Sequence, residues 1–263
     1  MSTPVVFQAI VLKSQETGSS SEVIHTVSAE YGRLSVYGKG ILNPKNKFRG
    51  ILQPLALVEL TLYLKDGADM GTLRDASLIE DHAPLTADLE RFSLALLLAE
   101  AASFGCEPGQ PAPGIFAALV EGLHYLDARS GLTAPQAAAR GLLHILSAAG
   151  YEPQIDEALL GPWPAGETKP LVFWLDASTG VISARGHQPA GAPQWPWILP
   201  GAAFPLPPKA VRYLYESRTG APAVSLSTDE MRQWLEALIR LCEWHHEGAL
   251  RSADFWRRID RPG

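Results

Sequence analysis

The stretch Tyr31–Pro54, YGRLSVYGKGILNPKNKFRGILQP, joins a strand pattern to a basic loop, and the interpretation of the N-terminal third depends on it. Between residues 33 and 39, polar and apolar residues alternate with the period of a β-strand. One strand face would carry Arg33, Ser35, Tyr37 and Lys39, and the opposite face would carry Leu34 and Val36. The second face suits a hydrophobic core, and the first suits an anionic ligand.

Residues 40–50 predict an exposed loop, because Asn43-Pro44 and the flanking glycines favour turns. The basic residues of the whole stretch are Arg33, Lys39, Lys45, Lys47 and Arg49, and no acidic residue occurs between Glu30 and Glu59. Cations neutralise phosphates, and rings such as Tyr37 and Phe48 stack on bases. The stretch therefore predicts a site for single-stranded nucleic acid. The alternative is a solvated loop with both rings half-buried.

This basic stretch belongs to an acidic protein of 263 residues with a net charge of -6. Residues 1–58 contain six Lys or Arg against three Glu, whereas residues 59–130 contain four against twelve acidic residues. A uniformly basic, histone-like surface is therefore excluded, and a local basic surface remains open. The 46% hydrophobic content predicts a packed chain, and its length allows two domains.

Five short strands are predicted before residue 82, and they indicate a small closed barrel. Their approximate ranges are 5–12, 23–28, 33–39, 57–64 and 71–80. An OB fold matches the long loop after the third strand, and an SH3-like barrel is the alternative on spacing alone. The fold class is therefore α+β, with an N-terminal five-stranded OB barrel followed by an α-helical domain with a small irregular inserted module.

From Pro84 the apolar period changes from two to about 3.6, which predicts helices. The first would begin at the N-cap Thr86 and end near Gly105, and the next two would span 115–128 and 135–149. The capping box Ser227-x-x-Glu230 opens another helix over 227–247. Its apolar stripe contains Met231, Trp234, Leu235, Leu238, Ile239 and Cys242. We expect this helix to share a helical body with residues 84–150.

Residues 151–208 are irregular, with a short hairpin predicted at 171–175 and 181–182. Four tryptophans could hold this region together by apolar burial. They are Trp163, Trp174, Trp195 and Trp197.

The common catalytic motifs are missing from the sequence, including the P-loop, G-x-S-x-G and H-E-x-x-H, so we predict no enzyme. Cys242, His245 and His246 would share a helix face, but Cys242 belongs to the apolar stripe and the histidines suit a helix C-terminus. No metal is assigned to them. His124 and His144 are interpreted as core or surface histidines, and the pair Glu80-Asp81 as a helix cap.

Two cysteines, Cys106 and Cys242, form no disulfide framework, and no targeting signal is recognised at the N-terminus. The longest apolar run, Leu94–Ala99, is too short to span a membrane. We therefore expect a protein of the reducing cytoplasm.

Several segments, in this order and spacing, resemble the bacterial recombination mediator family RecO. In the N-terminal part these are Ala9-Ile10-Val11-Leu12, Ser21-Glu22, Tyr31-Gly32-Arg33-Leu34-Ser35 and Leu52-Gln53-Pro54-Leu55. In the helical part they are Leu89-Glu90-Arg91-Phe92, Ala99-Glu100, Pro113-Gly114-Ile115-Phe116-Ala117-Ala118-Leu119, Leu142-Leu143 and the run from Ala149 to Asp156. Together they cover most of the chain, although each motif is short.

The resemblance implies a non-enzymatic role without a cofactor: binding single- and double-stranded DNA, annealing complementary strands, and loading RecA with RecR onto DNA coated by single-stranded DNA-binding protein. It also implies binding of that protein's acidic C-terminal tail. The implied domains are 1–82, an OB-fold DNA-binding domain, and 83–263, a helical domain. Two alternatives stay open, namely a protein-interaction scaffold whose barrel does not bind DNA and an RNA-binding barrel.

One departure from the family concerns zinc. Many members carry two C-x-x-C pairs that bind a structural zinc, and these align with Ala158, Gly161, Ser183 and Gly186. These residues cannot form a Cys or His zinc site. Residues 155–208 are therefore expected to be a degenerate, zinc-less version of the family's zinc module.

Overall fold

The computed structural model comprises two compact units, residues 1–149 with 250–263 and residues 150–249. The residues whose structure is described are 4–48, 50–65, 67–155, 172–185, 203–219 and 225–260. Arg49, three of the four tryptophans and three of the four positions aligned with zinc cysteines lie outside them. No helix among the described residues has the length and apolar character needed to cross a bilayer.

The first unit begins with a closed five-stranded barrel, as predicted. Its strands are β1 (Pro4–Thr17), β2 (Ser21–Ser28), β3 (Gly32–Gly38), β4 (Leu57–Tyr63) and β5 (Met70–Glu80). Their order around the barrel is β1-β2-β3-β5-β4, with β3 and β5 parallel and the other pairs that the register describes antiparallel. This is the order of an OB fold.

The predicted alternation of β3 is confirmed. Leu34 and Val36 are buried, whereas Arg33, Ser35 and Tyr37 are only partly buried on the outer side. The barrel core is built from inward-facing residues of every strand, including Phe7, Ala9, Val11, Ile24, Leu34, Val36, Val58, Leu60, Leu62 and Ala76. Period-two burial of these side chains keeps each strand in its register.

Residues 39–56, here called the basic loop, close one end of the barrel. Ile41 and Leu52 are buried in the barrel core, and Leu42, Phe48 and Ile51 pack against it while partly exposed. The prediction of an exposed loop over 40–50 is wrong for Ile41, whereas the partial burial of Tyr37 and Phe48 matches the alternative of half-buried rings. Local sequence could not show this, because the loop has no regular period and each apolar residue reaches the core through a separate turn.

Three helices follow the barrel: α1 (Leu89–Gly105), α2 (Pro113–Leu126) and α3 (Ala134–Ala148). Their positions confirm the prediction, but the N-cap of α1 is Asp88 rather than Thr86. The Asp88 carboxylate accepts hydrogen bonds from the backbone N–H groups of Glu90 and Arg91. Thr86 lies instead in a 3₁₀ turn, Ala83–Ala87, that has Pro84 in its first turn and delays the start of α1.

The second unit contains a four-stranded sheet and two helices. Its elements are β6 (Gln154–Ile155), β7 (Val172–Asp176), β8 (Val181–Arg185), β9 (Ala203–Leu206), α4 (Pro208–Thr219) and α5 (Thr228–His246). The β7–β8 pair confirms the predicted hairpin. The capping box at Ser227 is confirmed, and the predicted apolar stripe of α5 is buried.

Two helices were not predicted, namely α4 and α6 (Arg251–Asp260). The helix α6 returns to the first unit and packs on α1. Leu250, Ala253 and Trp256 are buried there. The Glu100 carboxylate of α1 accepts hydrogen bonds from the backbone N–H groups of Arg251 and Ser252, which caps α6.

Candidate nucleic-acid interface

The basic loop presents Lys39 and Lys45 to solvent on one ordered segment. The Asn46 side-chain amide donates a hydrogen bond to the Gly40 carbonyl at 3.1 Å, and the Leu42 N–H donates to the Ser20 carbonyl at 3.0 Å. These contacts hold the segment against the turn between β1 and β2. Two of the predicted cations are thus brought together near the end of β3.

Lys47 and Phe48 continue this segment but already have contacts within the protein. The Lys47 Nζ donates a hydrogen bond to the Asp75 carboxylate on β5 at 2.9 Å and lies 4.8 Å from the centre of the Phe48 ring. The Phe48 ring is partly buried against the barrel core. A nucleic acid would therefore have to compete with Asp75 for Lys47, and only part of the Phe48 ring is open for stacking.

Arg33 lies away from the lysines, at the opposite end of β3. About four residues of strand, or roughly 13 Å, separate it from Tyr37. Its Nε is buried without a hydrogen-bond partner among the described residues. Burial raises the pKa of the neighbouring Cys106 thiol to about 11, and the Arg33 guanidinium opposes that rise. The structure therefore does not group Arg33 with the basic loop.

Tyr37 belongs to a second surface, on the outer side of the barrel, which we call the β2–β3–β5 face. It comprises Lys13, His25, Ser35, Tyr37, Thr72 and Arg74, and Tyr63 of the neighbouring β4 borders it. In the strand register Tyr37 lies beside Thr72, and Thr72 lies beside Tyr63 of β4. Two strand spacings place the two tyrosines about 10 Å apart on the same side of the sheet. Tyr63 is 46% exposed, and the Arg74 guanidinium lies 5.8 Å from its ring centre. Aromatic rings beside a cation are the elements of a base-stacking platform.

The adjacent row of this face adds a cation and an imidazole. Lys13 lies beside His25, and His25 lies beside Ser35, whose hydroxyl is 3.2 Å from the His25 Nδ1. Burial lowers the pKa of His25, and the positive charge of Lys13 lowers it further. At neutral pH this row therefore carries one positive charge, that of Lys13.

Sequence analysis placed Tyr37 and Ser35 on the outward side of β3 but missed the residues that the other strands contribute to this face. The missed residues are Lys13, His25, Tyr63 and Arg74. The alternation of each strand indicated which residues point outward. However, only the barrel order places β5 beside β3 and so brings Thr72, Tyr63 and Arg74 next to Tyr37.

Comparison with known proteins gives two family matches along the chain. The family model described as "Recombination protein O N terminal" matches residues 1–82, and the one described as "Recombination protein O C terminal" matches residues 86–161.

Curated relatives span nearly the whole chain. A "DNA repair protein RecO" from Anaeromyxobacter sp. strain K is 31% identical over 93% of this chain and 92% of its own length. One from Anaeromyxobacter dehalogenans strain 2CP-1 is 32% identical over 91% of this chain and 90% of its own length. One from Desulfitobacterium hafniense is 27% identical over 97% of this chain and 90% of its own length. By its two domain matches and these full-length relatives, the chain belongs to the RecO family of DNA repair proteins.

Proposed function

We propose that this protein is a recombination mediator that binds single- and double-stranded DNA through its barrel. In this role it anneals complementary strands and, with RecR, helps to load RecA onto DNA coated by single-stranded DNA-binding protein. Its partners are these proteins, including the acidic tail of the single-stranded DNA-binding protein, and it acts at the nucleoid without catalysing a reaction. Residues 1–82 would be the DNA-binding domain and residues 83–263 the helical domain.

The observation that carries this proposal is the arrangement of cations and rings on an OB barrel. The basic loop supplies Lys39, Lys45 and Lys47, and the β2–β3–β5 face supplies Tyr37 and Tyr63 with Lys13 and Arg74. OB folds bind oligonucleotides on the face of their second and third strands. Cations neutralise the phosphates there, and the rings stack on bases.

The contacts that Phe48 and Lys47 make within the protein also support a second candidate function, a protein-interaction scaffold. Lys47 is paired with Asp75, and Phe48 is partly buried against the core. If DNA does not displace these contacts, the loop is a structural cap of the barrel. Binding of RNA by the same face is the third candidate, and competition between RNA and DNA separates it from the first.

The test is the salt dependence of single-stranded DNA binding by a variant with Lys45, Lys47 and Arg49 all replaced by alanine. If each residue neutralises one phosphate, the slope of log K against log salt should fall by about 0.7 per contact, or roughly 2 in total. Affinity should fall alike for every DNA sequence. A control variant with Arg129, Lys209 and Arg240 replaced by alanine loses the same charge outside residues 1–82 and should leave the slope unchanged.

A second variant tests the β2–β3–β5 face independently of the basic loop. Tyr63→Ala should weaken binding by about 1–3 kcal/mol if the ring stacks on a base, with little change of the salt slope. Because the Tyr63 ring is 46% exposed, its loss should leave the fold intact. Wild-type binding and annealing by both variants would refute a DNA site on these surfaces and favour the scaffold function.

A further inference from the structure

Three side chains that can ligate a metal meet where β5 ends. Glu80 is the last residue of β5, His82 precedes the 3₁₀ turn, and His124 lies in the last turn of α2. One potential ligand atom of each lies within 4.8 Å of the other two. Within the described part of the chain this is the one group of three or more His, Cys, Asp or Glu residues so arranged. Sequence analysis assigned no metal role to any of them.

The pairwise geometry is close to that of a metal site. The His124 Nε2 lies 2.9 Å from the Glu80 Oε2, and the His82 Nδ1 lies 3.9 Å from the Glu80 Oε1. Around a tetrahedral Zn²⁺ with bonds of about 2.0–2.1 Å, neighbouring ligand atoms are about 3.3 Å apart. The two measured distances, to different Glu80 oxygens, lie on either side of that value, and all three ligand atoms lie within 4.8 Å of one another. Side-chain adjustments of up to about 1.5 Å would therefore close the site.

His82 is the buried member of this group. Its side chain is only 7% exposed, and its Nε2 has no hydrogen-bond partner among the described residues. Buried polar atoms are normally paired. The unpaired atom is Nε2, whereas Nδ1 is the nitrogen that lies 3.9 Å from the Glu80 carboxylate.

The charges around the group also favour a cation. The carboxylates of Asp81 and Asp127 act on His82 in the same direction as Glu80. Asp127 is paired with Arg129 at 2.6 Å, and Glu80 also attracts Arg129, so these three carboxylates and one guanidinium carry a net negative charge. The Asp81 carboxylate accepts the Ala83 N–H, so it holds the backbone between Glu80 and the 3₁₀ turn.

We propose that Glu80, His82 and His124 bind a divalent transition-metal ion, with Zn²⁺ the best match, in a three-ligand site that links the end of β5 to α2. Two imidazoles and one carboxylate are a common donor set for zinc, and water would take the fourth position. The site is distinct from the positions aligned with the family's zinc cysteines. Its three residues are also different from Cys242, His245 and His246, which the sequence places on one helix face.

The test uses the full chain after removal of metals with a chelator and dialysis. Titration with Co²⁺ should give visible d–d absorption that saturates at one equivalent and is displaced by Zn²⁺. Zn²⁺ should also raise the midpoint of thermal unfolding, because it binds the folded state. His124→Ala and Glu80→Gln, both at partly exposed positions, should weaken binding by more than about tenfold, since even groups outside the ligand sphere change metal affinity about 10–100-fold.

His144→Ala is the matched control. His144 is also partly exposed and lies 3.1 Å from a glutamate carboxylate, that of Glu121, but the described residues place no third ligand beside this pair. This variant should bind Co²⁺ and Zn²⁺ as the parent does. Failure of the parent to bind one equivalent would overturn the proposal. So would binding that survives both His124→Ala and Glu80→Gln, or an equal loss in the control.

Discussion

Lys47 is the residue at which a DNA phosphate and a protein carboxylate would compete. Its ammonium group donates to Asp75 at 2.9 Å, and this hydrogen bond is the main reason that the pKa of Asp75 is lowered. The Lys47 side chain is 70% exposed and that of Asp75 is 57% exposed. Exposed ion pairs typically contribute about 0–1 kcal/mol, so a phosphate can displace Asp75 at little cost.

Replacing Asp75 with asparagine should therefore strengthen DNA binding. The change releases Lys47 and removes one negative charge beside the basic loop, and affinity for single-stranded DNA should rise by up to about fivefold at low salt. Fluorescence anisotropy of labelled single-stranded DNA, recorded at several salt concentrations, measures this affinity. Glu59→Gln removes the same charge from the outer side of β4 and should change affinity less. Unchanged or weaker binding by Asp75→Asn would show that Lys47 does not contact DNA.

His25 makes the stability of the barrel depend on pH. Burial and Lys13 both lower its pKa in the folded state below the usual 6.5, so the unfolded chain binds protons more readily. Its contribution is fully present above pH 6.5 and is lost as the pH falls through the folded pKa. His25→Gln should therefore reduce the loss of stability between about pH 7.5 and 5.

Urea unfolding at several pH values measures this effect, with His144→Gln as the control for loss of an imidazole elsewhere. Other histidines, including His82, also have lowered pKa values, so the variant should keep part of the pH dependence. Parallel stability curves for the parent and His25→Gln would contradict the assignment.

At the scale of elements, the start of β3 is held by the segment that follows α1. The Gly109 N–H donates to the Arg33 carbonyl at 3.1 Å, and Gly32 forms bridges with Pro108. Gly32 has a positive φ of 53°, and an added Cβ would lie 2.5 Å from the Gln110 carbonyl oxygen and 2.6 Å from that of Glu107. Only glycine allows this approach of two backbones.

Gly32→Ala should destabilise the protein by more than about 2 kcal/mol. The positive φ costs about 1–2 kcal/mol for a residue with a Cβ, and the contact with two carbonyl oxygens adds the cost of shifting the backbone. Gly18→Ala is the control, since Gly18 has a φ of 69° but no atom within 4 Å of an added Cβ. Denaturant unfolding should show the larger loss at Gly32, and equal losses would mean that the segment moves freely.

The packing of α2 against α3 also depends on glycine. Gly122 of α2 and Gly141 of α3 face each other, and a Cβ added to either would lie within 3.0 Å of a methyl group of Leu98. These glycines carry no turn signal in the sequence. Their role is to let two helices approach closely, which local sequence patterns do not indicate.

At the scale of the whole molecule, the chain leaves the first unit after residue 149 and returns to it at residue 250. The return consists of α6, which buries Trp256 and Leu250 and is capped by Glu100. Sequence analysis predicted no helix in this segment. Its apolar residues are too few for a helix to be predicted from their period alone.

Deleting residues 250–263 should destabilise the first unit by at least about 3–5 kcal/mol, the usual cost of removing a large buried aromatic side chain. Hydrogen exchange should show faster exchange in α1 and the adjacent helices, while α5 in the second unit keeps its protection. If the truncated chain does not fold, Trp256→Ala provides a milder version of the same change. Unchanged protection of α1 in Trp256→Ala would show that α6 is not part of this unit.

The period of apolar residues was sufficient to predict the elements that bury one face. The alternation in β3 and the 3.6-residue period of α1, α2, α3 and α5 each appear as predicted. The grouping of the helix at 227–247 with residues 84–150, and the division at residue 82, stay predictions. A local pattern states which face of an element is buried but not which other element covers it.

The sequence by itself therefore determined the barrel, the main helices, the capping box at Ser227 and the basic loop, because each depends on residues close together in the chain. Only the tertiary structure decided that Phe48 lies partly against the core, that Asp75 pairs with Lys47, that Tyr63 and Arg74 join Tyr37, and that Glu80, His82 and His124 meet. Each of these contacts joins residues from separate turns or strands. Their distances follow from barrel closure and helix packing, which no local period encodes.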